Sequence, residues 1–263
     1  MVFNQFQTVG KIGGKGKMTN KDELFEDLRE KFLKLAMDNN LLEEDIIIRG
    51  RPLTAKEAIG NPDRQDFPLI KGKEKLMQAE FRRSFGQAFT DMPSNFEGSL
   101  KDVLYRPITS NFDRAVFIAS LNAVLRYLGK IDFTVHCKDN EPEDCAEQFI
   151  EYIANEYGNP KIALIGFQPS FLEKLASNYE MRVLDLDKDR IGTMEFGVRV
   201  EDGEKTLEDI LDWCDLVIAT GSTVVNGTIV NFLNRDKPVV FYGTTVAGAA
   251  ELLGLQRYCV CAK

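Results

Sequence analysis

One apolar run that passes directly into glycines and hydroxyls constrains this chain more than any other stretch. Leu216-Val217-Ile218 has the β-branched content of a buried strand, and residues 219–228 (ATGSTVVNGT) follow it. Seven of those ten residues are Gly, Ser, Thr or Asn. A strand that ends this way and turns into a helix offers free backbone N–H groups and short donors above the sheet edge. Open α/β sheets hold their ligands there.

The pattern repeats. Residues 161–166 (KIALIG), 181–186 (MRVLDL) and 238–242 (PVVFY) are further short apolar runs, and 258–261 reads as one more strand. Helical patterns at 171–177, 207–213, 228–233 and 246–253 alternate with them. Such alternation makes a mostly parallel sheet covered on both faces. The expected fold class is α/β, with a Rossmann-like ligand-binding domain over residues 131–263. Upstream, Asn20 caps a helix running to Met37, residues 45–50 read as a strand, and 51–75 as loop. Residues 79–90 suggest a hairpin about Ser84-Phe85-Gly86, and 111–127 a strong apolar helix. These predict an α+β N-terminal domain over 20–130. A helix over 141–157, capped by Asp139 or Asn140, opens the second domain. The glycine/lysine-rich residues 10–17 miss the phosphate-loop spacing and are expected to be part of a flexible N-terminal segment, 1–19.

Composition narrows the partners. A formal net charge of −8 leaves no basic surplus for a phosphate backbone, so nucleic acid is not expected. The longest apolar stretch, 115–125, is broken by Ser120 and Asn122 and is too short for a bilayer. Five cysteines without an apolar leader predict a cytoplasmic protein with reduced thiols. The single histidine, His136, excludes a His-rich metal site and any Ser–His–Asp triad built elsewhere. Homo-oligomerisation stays open.

The strand-end turns supply the candidate ligand contacts: Gly166, Phe167 and Gln168; Asp185; Thr220, Gly221, Ser222 and Thr223 with Asn226; and Gly243 with Thr244. Each alone reads as a turn or cap, whereas together they read as a ligand site at one edge. Thr90 and Asp91 are the cleft residues expected from the N-terminal half. Residues 166–171 hold one glycine where a dinucleotide fingerprint needs three, which disfavours NAD. Asp185 ends the second strand, where an acid often binds ribose, so an adenosine-bearing cofactor such as S-adenosylmethionine stays open and would make the protein an enzyme.

Residues 135–145 (VHCKDNEPEDC) gather one imidazole, two thiols and four carboxylates at a helix start. His136, Cys137 and Cys145 are candidate ligands for a thiophilic transition metal. The helix N-terminus beside Cys145 and Lys138 beside Cys137 are expected to favour thiolate. The competing readings are packing as small hydrophobes, or a redox pair of Cys137 with Cys145. Cys259 and Cys261 are expected to pack on one face of the last strand, Cys214 in the core, and Asn122 as a structural amide.

Residues 86–91 (GQAFTD), Asn122-Ala123-Val124, residues 134–139 (TVHCKD) and 220–228 (TGSTVVNGT) together resemble a family of uncharacterised prokaryotic proteins described as "putative heavy-metal chelation". The resemblance runs from about Asp22 to the end. It implies an enolase-N-terminal-like α+β domain joined to a Rossmann-like one, with an inter-domain cleft for a small ligand, a metal or a metal chelate. It transfers no catalytic residue.

Overall fold

The computed structural model describes residues 20–42, 47–71 and 75–263; the 10–17 stretch and the start of the expected 45–50 strand lie outside them. Helix α1 (Lys21–Asp38) starts where Asn20 Oδ1 accepts the amides of Asp22 and Glu23, and it buries Leu24, Phe25, Leu28, Phe32 and Ala36. Next come β1 (Ile47–Pro52), α2 (Ala55–Ile59), α3 (Pro68–Lys71), β2 (Lys75–Phe81), β3 (Ser84–Thr90), β4 (Phe96–Ser99), α4 (Leu100–Tyr105) and α5 (Asn111–Tyr127). The four strands form an antiparallel sheet in the order β3-β2-β1-β4.

Two local expectations need correction. The hairpin turns at Arg82-Arg83, both left-handed at φ 47° and 66°, and Gly86 lies inside β3. A two-residue turn of that kind matches the twist of the strands it joins. The stretch expected to be loop holds two short helices. The first is opened by a Thr54–Glu57 capping box that the surrounding prolines and charges concealed.

The second half runs α6 (Glu141–Tyr157), β5 (Ile162–Ile165), α7 (Pro169–Ala176), β6 (Met181–Asp185), β7 (Met194–Glu195), β8 (Val198–Asp202), α8 (Leu207–Trp213), β9 (Leu216–Thr220) and α9 (Thr223–Asn226). A 3₁₀ turn (Thr228–Asn231), β10 (Val239–Tyr242), α10 (Ala247–Leu253) and β11 (Arg257–Tyr258) complete it. The sheet order is β11-β10-β9-β5-β6-β8-β7, parallel except for the β7–β8 edge. Counted from β5, the six parallel strands lie in the order 3-2-1-4-5-6 of a doubly wound sheet, with the direction of winding reversing between β5 and β9. The last strand stops at Tyr258, so Cys259 and Cys261 leave the sheet and do not pack on its face as expected. Among the described residues no helix is long and apolar enough to cross a membrane.

The central strands bury both faces. Ala163, Ile165, Val217, Ala219 and Phe241 face the core shared with α1 and α5, while Ile162, Leu164, Leu216, Ile218 and Val240 face α6 and α7. Helix α5 joins the two halves, buried from Asp113 through Leu125 between the antiparallel sheet and helices α9 and α10. Glycines permit the close approach. A Cβ on Gly86 of β3 would stand 2.3 Å from the Ala119 carbonyl oxygen and the Ala123 nitrogen, and one on Gly248 of α10 would stand 2.8 Å from Asn122 Oδ1. Asn122 uses this contact fully. Its Nδ2 faces the carbonyls of Gln87 (2.9 Å), Thr245 (3.1 Å) and Thr244 (3.2 Å), and its Oδ1 accepts the Gly248 amide at 2.7 Å.

At the start of α5, burial opposes ionisation of Asp113. Hydrogen bonds from Arg106, Ser110 and Thr109 overcome it and hold the carboxyl well below the usual carboxylate range.

These contacts set measurable stabilities. Asn122→Ala strands buried carbonyls and an amide, and Gly86→Ala drives a methyl into α5; each is expected to lower unfolding free energy by about 3 kcal/mol in urea titration. Because the Asp113 pKa is depressed by folding, its contribution is present above its unfolded pKa of about 3.9 and is lost as pH falls toward its folded value. Asp113→Asn is expected to cost about 2 kcal/mol near pH 7 and to flatten the loss of stability between about pH 5 and about pH 2.

Candidate functional site

Two cavities open on either side of the Thr220-Gly221-Ser222 turn that ends β9. The larger, about 1070 Å³, is a polar cleft at the carboxyl edge of the parallel sheet. Gly166, Phe167, Asp185, Thr220, Ser222, Thr223 and Asn226 line it from the C-terminal half, and Asp91 and Asn111 from the other. The smaller, about 120 Å³, is a mainly apolar chamber between the halves. Phe167, Gln168, Thr220, Gly221, Ser222, Gly243, Thr244, His136, Cys137 and Cys145 all border it. Thr90 borders neither; its hydroxyl bonds the Asn111 carbonyl and accepts the Met92 amide.

The cleft floor is built by a carboxylate that serves the backbone. Asp185 accepts the amide of Phe167 through Oδ2 and that of Asp187 through Oδ1, both at 2.7 Å, which fixes the turns after β5 and β6 against each other. Gly166 is required at its turn: its φ is 88°, and a Cβ would lie 2.5 Å from Thr220 Cγ2. At the start of α7 the Phe171 amide bonds the Gln168 side chain and Pro169 has no N–H, so few donors remain to cradle a pyrophosphate. Asn111 Nδ2 donates to Asp91 at 2.7 Å and Asn111 Oδ1 accepts from the buried Arg114, which brings N-terminal polar groups to the rim. Arg190 lies 4.0 Å over the Phe167 ring, which forms part of the wall between cleft and chamber.

The chamber gathers soft donors. Ile59, Phe67, Leu69 and Phe89 roof it from the N-terminal half. This roof is tied down where Asp139 accepts the Asn61 amide at 2.8 Å and Asn140 pairs with Asp63. Asn140 is thereby drawn away from capping α6, where it makes no side-chain cap bond. Tyr242, Tyr258 and Cys259 also line it. His136 Nδ1 lies 2.6 Å from the Cys137 carbonyl, so it carries the proton there and leaves the Nε2 lone pair free. Burial pushes the His136 pKa down, which keeps the ring neutral. Thr244 Oγ1 is buried at this wall with no hydrogen-bond partner among the described residues.

The thiols are not activated in the way the sequence suggests. Burial pushes Cys137 far up and Cys145 up to about 12, outweighing Lys138 and the helix end. Their sulfurs also share one electrostatic neighbourhood with Cys259 and Cys261, each further raising the cost of a thiolate. The donor set is that of a soft metal, but among the described residues no three His, Cys, Asp or Glu side chains stand ready to hold an ion. Cys259, missed from the sequence, was hidden by its place in an apolar run at the chain end. Asn111 was missed because it opens a helix.

In the native reduced protein, iodoacetamide at about pH 8 is expected to alkylate Cys145 roughly a thousandfold more slowly than in denatured protein, since thiolate is the nucleophile. Peptide mass spectrometry over time measures this, and equal rates would contradict the burial argument.

Residues 148–255 match the model of the DUF364 family, described as "Putative heavy-metal chelation". A crystal structure of a DUF364-family protein of unknown function from Pyrococcus horikoshii is similar at 20% identity and a TM-score of 0.51, over 84% of this chain and 79% of that one. Another DUF364-family protein of unknown function, from Desulfitobacterium hafniense, is 16% identical with a TM-score of 0.49, over 89% of this chain and 85% of that one. No curated protein matches the sequence. The resemblance read from the sequence stands, and the first likeness extends it to a fold that includes both halves.

Proposed function

We propose that this protein binds a small ligand of the metal-chelate class, its polar part in the cleft at the sheet edge and its soft-metal part toward the thiol chamber. The observation that carries this reading is the shared wall: Phe167, Thr220 and Ser222 border both cavities, so a polar subsite and a soft-donor subsite lie one residue layer apart. Strand-end hydroxyls and amides then meet the organic groups, with Asp91 and Asn111 facing them across the gap. The reducing conditions of a cytoplasm would keep the sulfurs available. The description of the matching family model points the same way.

A second reading rests on Asp185, which ends the second strand of the doubly wound order, where a ribose is bound. Its two backbone bonds leave a lone pair on each oxygen for hydroxyls of an adenosine-bearing cofactor such as S-adenosylmethionine.

Differential scanning fluorimetry with Zn(II)–citrate and Cd(II)–cysteine complexes, the free chelators and S-adenosylmethionine separates the two. A chelate at a hundred times its dissociation constant is expected to stabilise the protein by roughly 2.7 kcal/mol. Asn226→Ala and Asp91→Ala should weaken that response while leaving the ligand-free melt close to the parent's. A response to S-adenosylmethionine alone, removed by Asp185→Asn, would favour the second reading. No response to any of them would contradict both.

A further inference from the structure

One cation in the cleft is covered by protein yet given no acceptor. Other covered arginines are met: Arg182 forks onto Glu201 at 2.7 and 2.6 Å, and Arg235 onto Glu208 at 2.9 and 3.1 Å. Arg83 and Arg199 donate to no acceptor among the described residues, but both are exposed and water serves them. Arg190, in the turn between β6 and β7, belongs to neither group. Its side chain is only 12% exposed, and the acid it faces among the described residues, Asp187, stands 3.9 Å from Nε, beyond hydrogen-bond distance. The Phe167 ring, 4.0 Å away, covers one face of the guanidinium and leaves its edge of N–H donors over. Those nitrogens are not sealed off, so the fork opens into the cleft that Arg190 lines. The turn itself is fixed. The Arg190 amide bonds the Asp187 carbonyl at 2.9 Å, its carbonyl accepts the amide and hydroxyl of Thr193, and Gly192 and Thr193 bond Val200 of β8. A side chain held this way in advance loses little freedom when a ligand arrives.

We propose that Arg190 is the residue by which the cleft recognises a carboxylate of its ligand, with Phe167 as the platform that holds the guanidinium flat. This rests on the chelate reading above and narrows the ligand to a chelator that carries a carboxylate. A guanidinium edge presents paired N–H groups that match the two oxygens of a carboxylate, and such charge-assisted pairs are strong where water is scarce. Phosphate would fit the same fork. However, five carboxylates line the cleft against three basic side chains, so a dianion is repelled more than a monoanion. The other two bases, Lys71 and Lys188, are exposed and supply charge without a fixed geometry. The start of α7 adds few amides for a phosphate, since Gln168 occupies the Phe171 N–H and Pro169 has none. A monoanionic carboxylate is the oxyanion that the cleft suits.

Isothermal titration of the reduced full-length chain with Cd(II)–cysteine and Cd(II)–cysteamine, each in excess chelator, tests this, because the two chelators differ only by the carboxylate. The parent should bind the cysteine complex at least about tenfold more tightly. Long-range charge cannot produce that order, since a chain of net charge −8 favours the more positive cysteamine complex. Arg190→Met keeps an apolar stem on Phe167 and should bring the two affinities within about twofold of each other, while Arg190→Lys, a charge without the fork, should keep part of the preference. Thermal melts without ligand verify the fold of both variants, and either one suffices for the comparison. Equal affinities in the parent, a preference undiminished in the variants, or displacement of the bound complex by inorganic phosphate at lower concentration than by acetate would overturn the proposal. Equal binding of both complexes, indifferent to residue 190, leaves the chelate reading standing, whereas binding of neither removes both.

Discussion

The side-chain amide of Asn122 is the contact on which the arrangement of the two halves depends. An amide in the middle of a buried apolar helix costs stability unless every polar atom is matched. Here its NH₂ reaches carbonyls in β3 and in the turn after β10, and its oxygen reaches the first turn of α10. One residue thus fixes an antiparallel sheet to the end of a parallel one. The glycines at 86 and 248 exist in the same sense, since a methyl at either would hold the partners apart. The Phe89 amide bonding Thr245 Oγ1 at 3.1 Å adds a second tie at the same place. The chamber lies beside this junction, so its shape is set by the core rather than by mobile surface loops.

Two different electrostatic regimes follow from that geometry. The cleft is polar and open, and its key carboxylate is occupied in orienting backbone turns. The chamber is dry enough that thiols stay protonated and the imidazole stays neutral. A dry site of this kind resists electrophiles, yet rewards any cation that can replace a proton on sulfur. The turn of Thr220, Gly221 and Ser222 separates the regimes. Gly221 is packed so tightly against the end of β10 and the start of α10 that a Cβ would lie 3.0 Å from the Tyr242 carbonyl oxygen and 2.9 Å from the Val246 nitrogen, which keeps the partition thin.

Much of this was legible in the chain itself. Continuous apolar runs such as 162–165 and 216–219 identified buried parallel strands, because burial on both faces leaves no polar alternation. Strand β8 escaped because Val198 and Val200 alternate with Arg199 and Glu201 near the sheet edge, where one face meets solvent. The hairpin turn was misplaced because Gly86 attracts a turn reading, whereas its role is close approach to α5. Asp185, Asn226 and the Thr220–Ser222 turn were visible as strand-end residues. Cys259 and Cys261 were not, because their proximity to Cys145 comes from the chain end folding back beside α6. That return is fixed by paired backbone bonds between Val135 and Lys263 at 2.7 and 2.8 Å, which no local pattern encodes.

Native-state hydrogen exchange tests the central claim most directly, that α5 and Asn122 make the two sheets one cooperative unit. The amides of Phe89 in β3, Gly248 in α10 and Ile218 in β9 are expected to exchange only through global unfolding, with a common free energy and a common denaturant dependence. Exchange of the β3 and Gly248 amides through a cheaper, sub-global opening, while Ile218 stays protected, would show that the halves separate independently and would contradict the account.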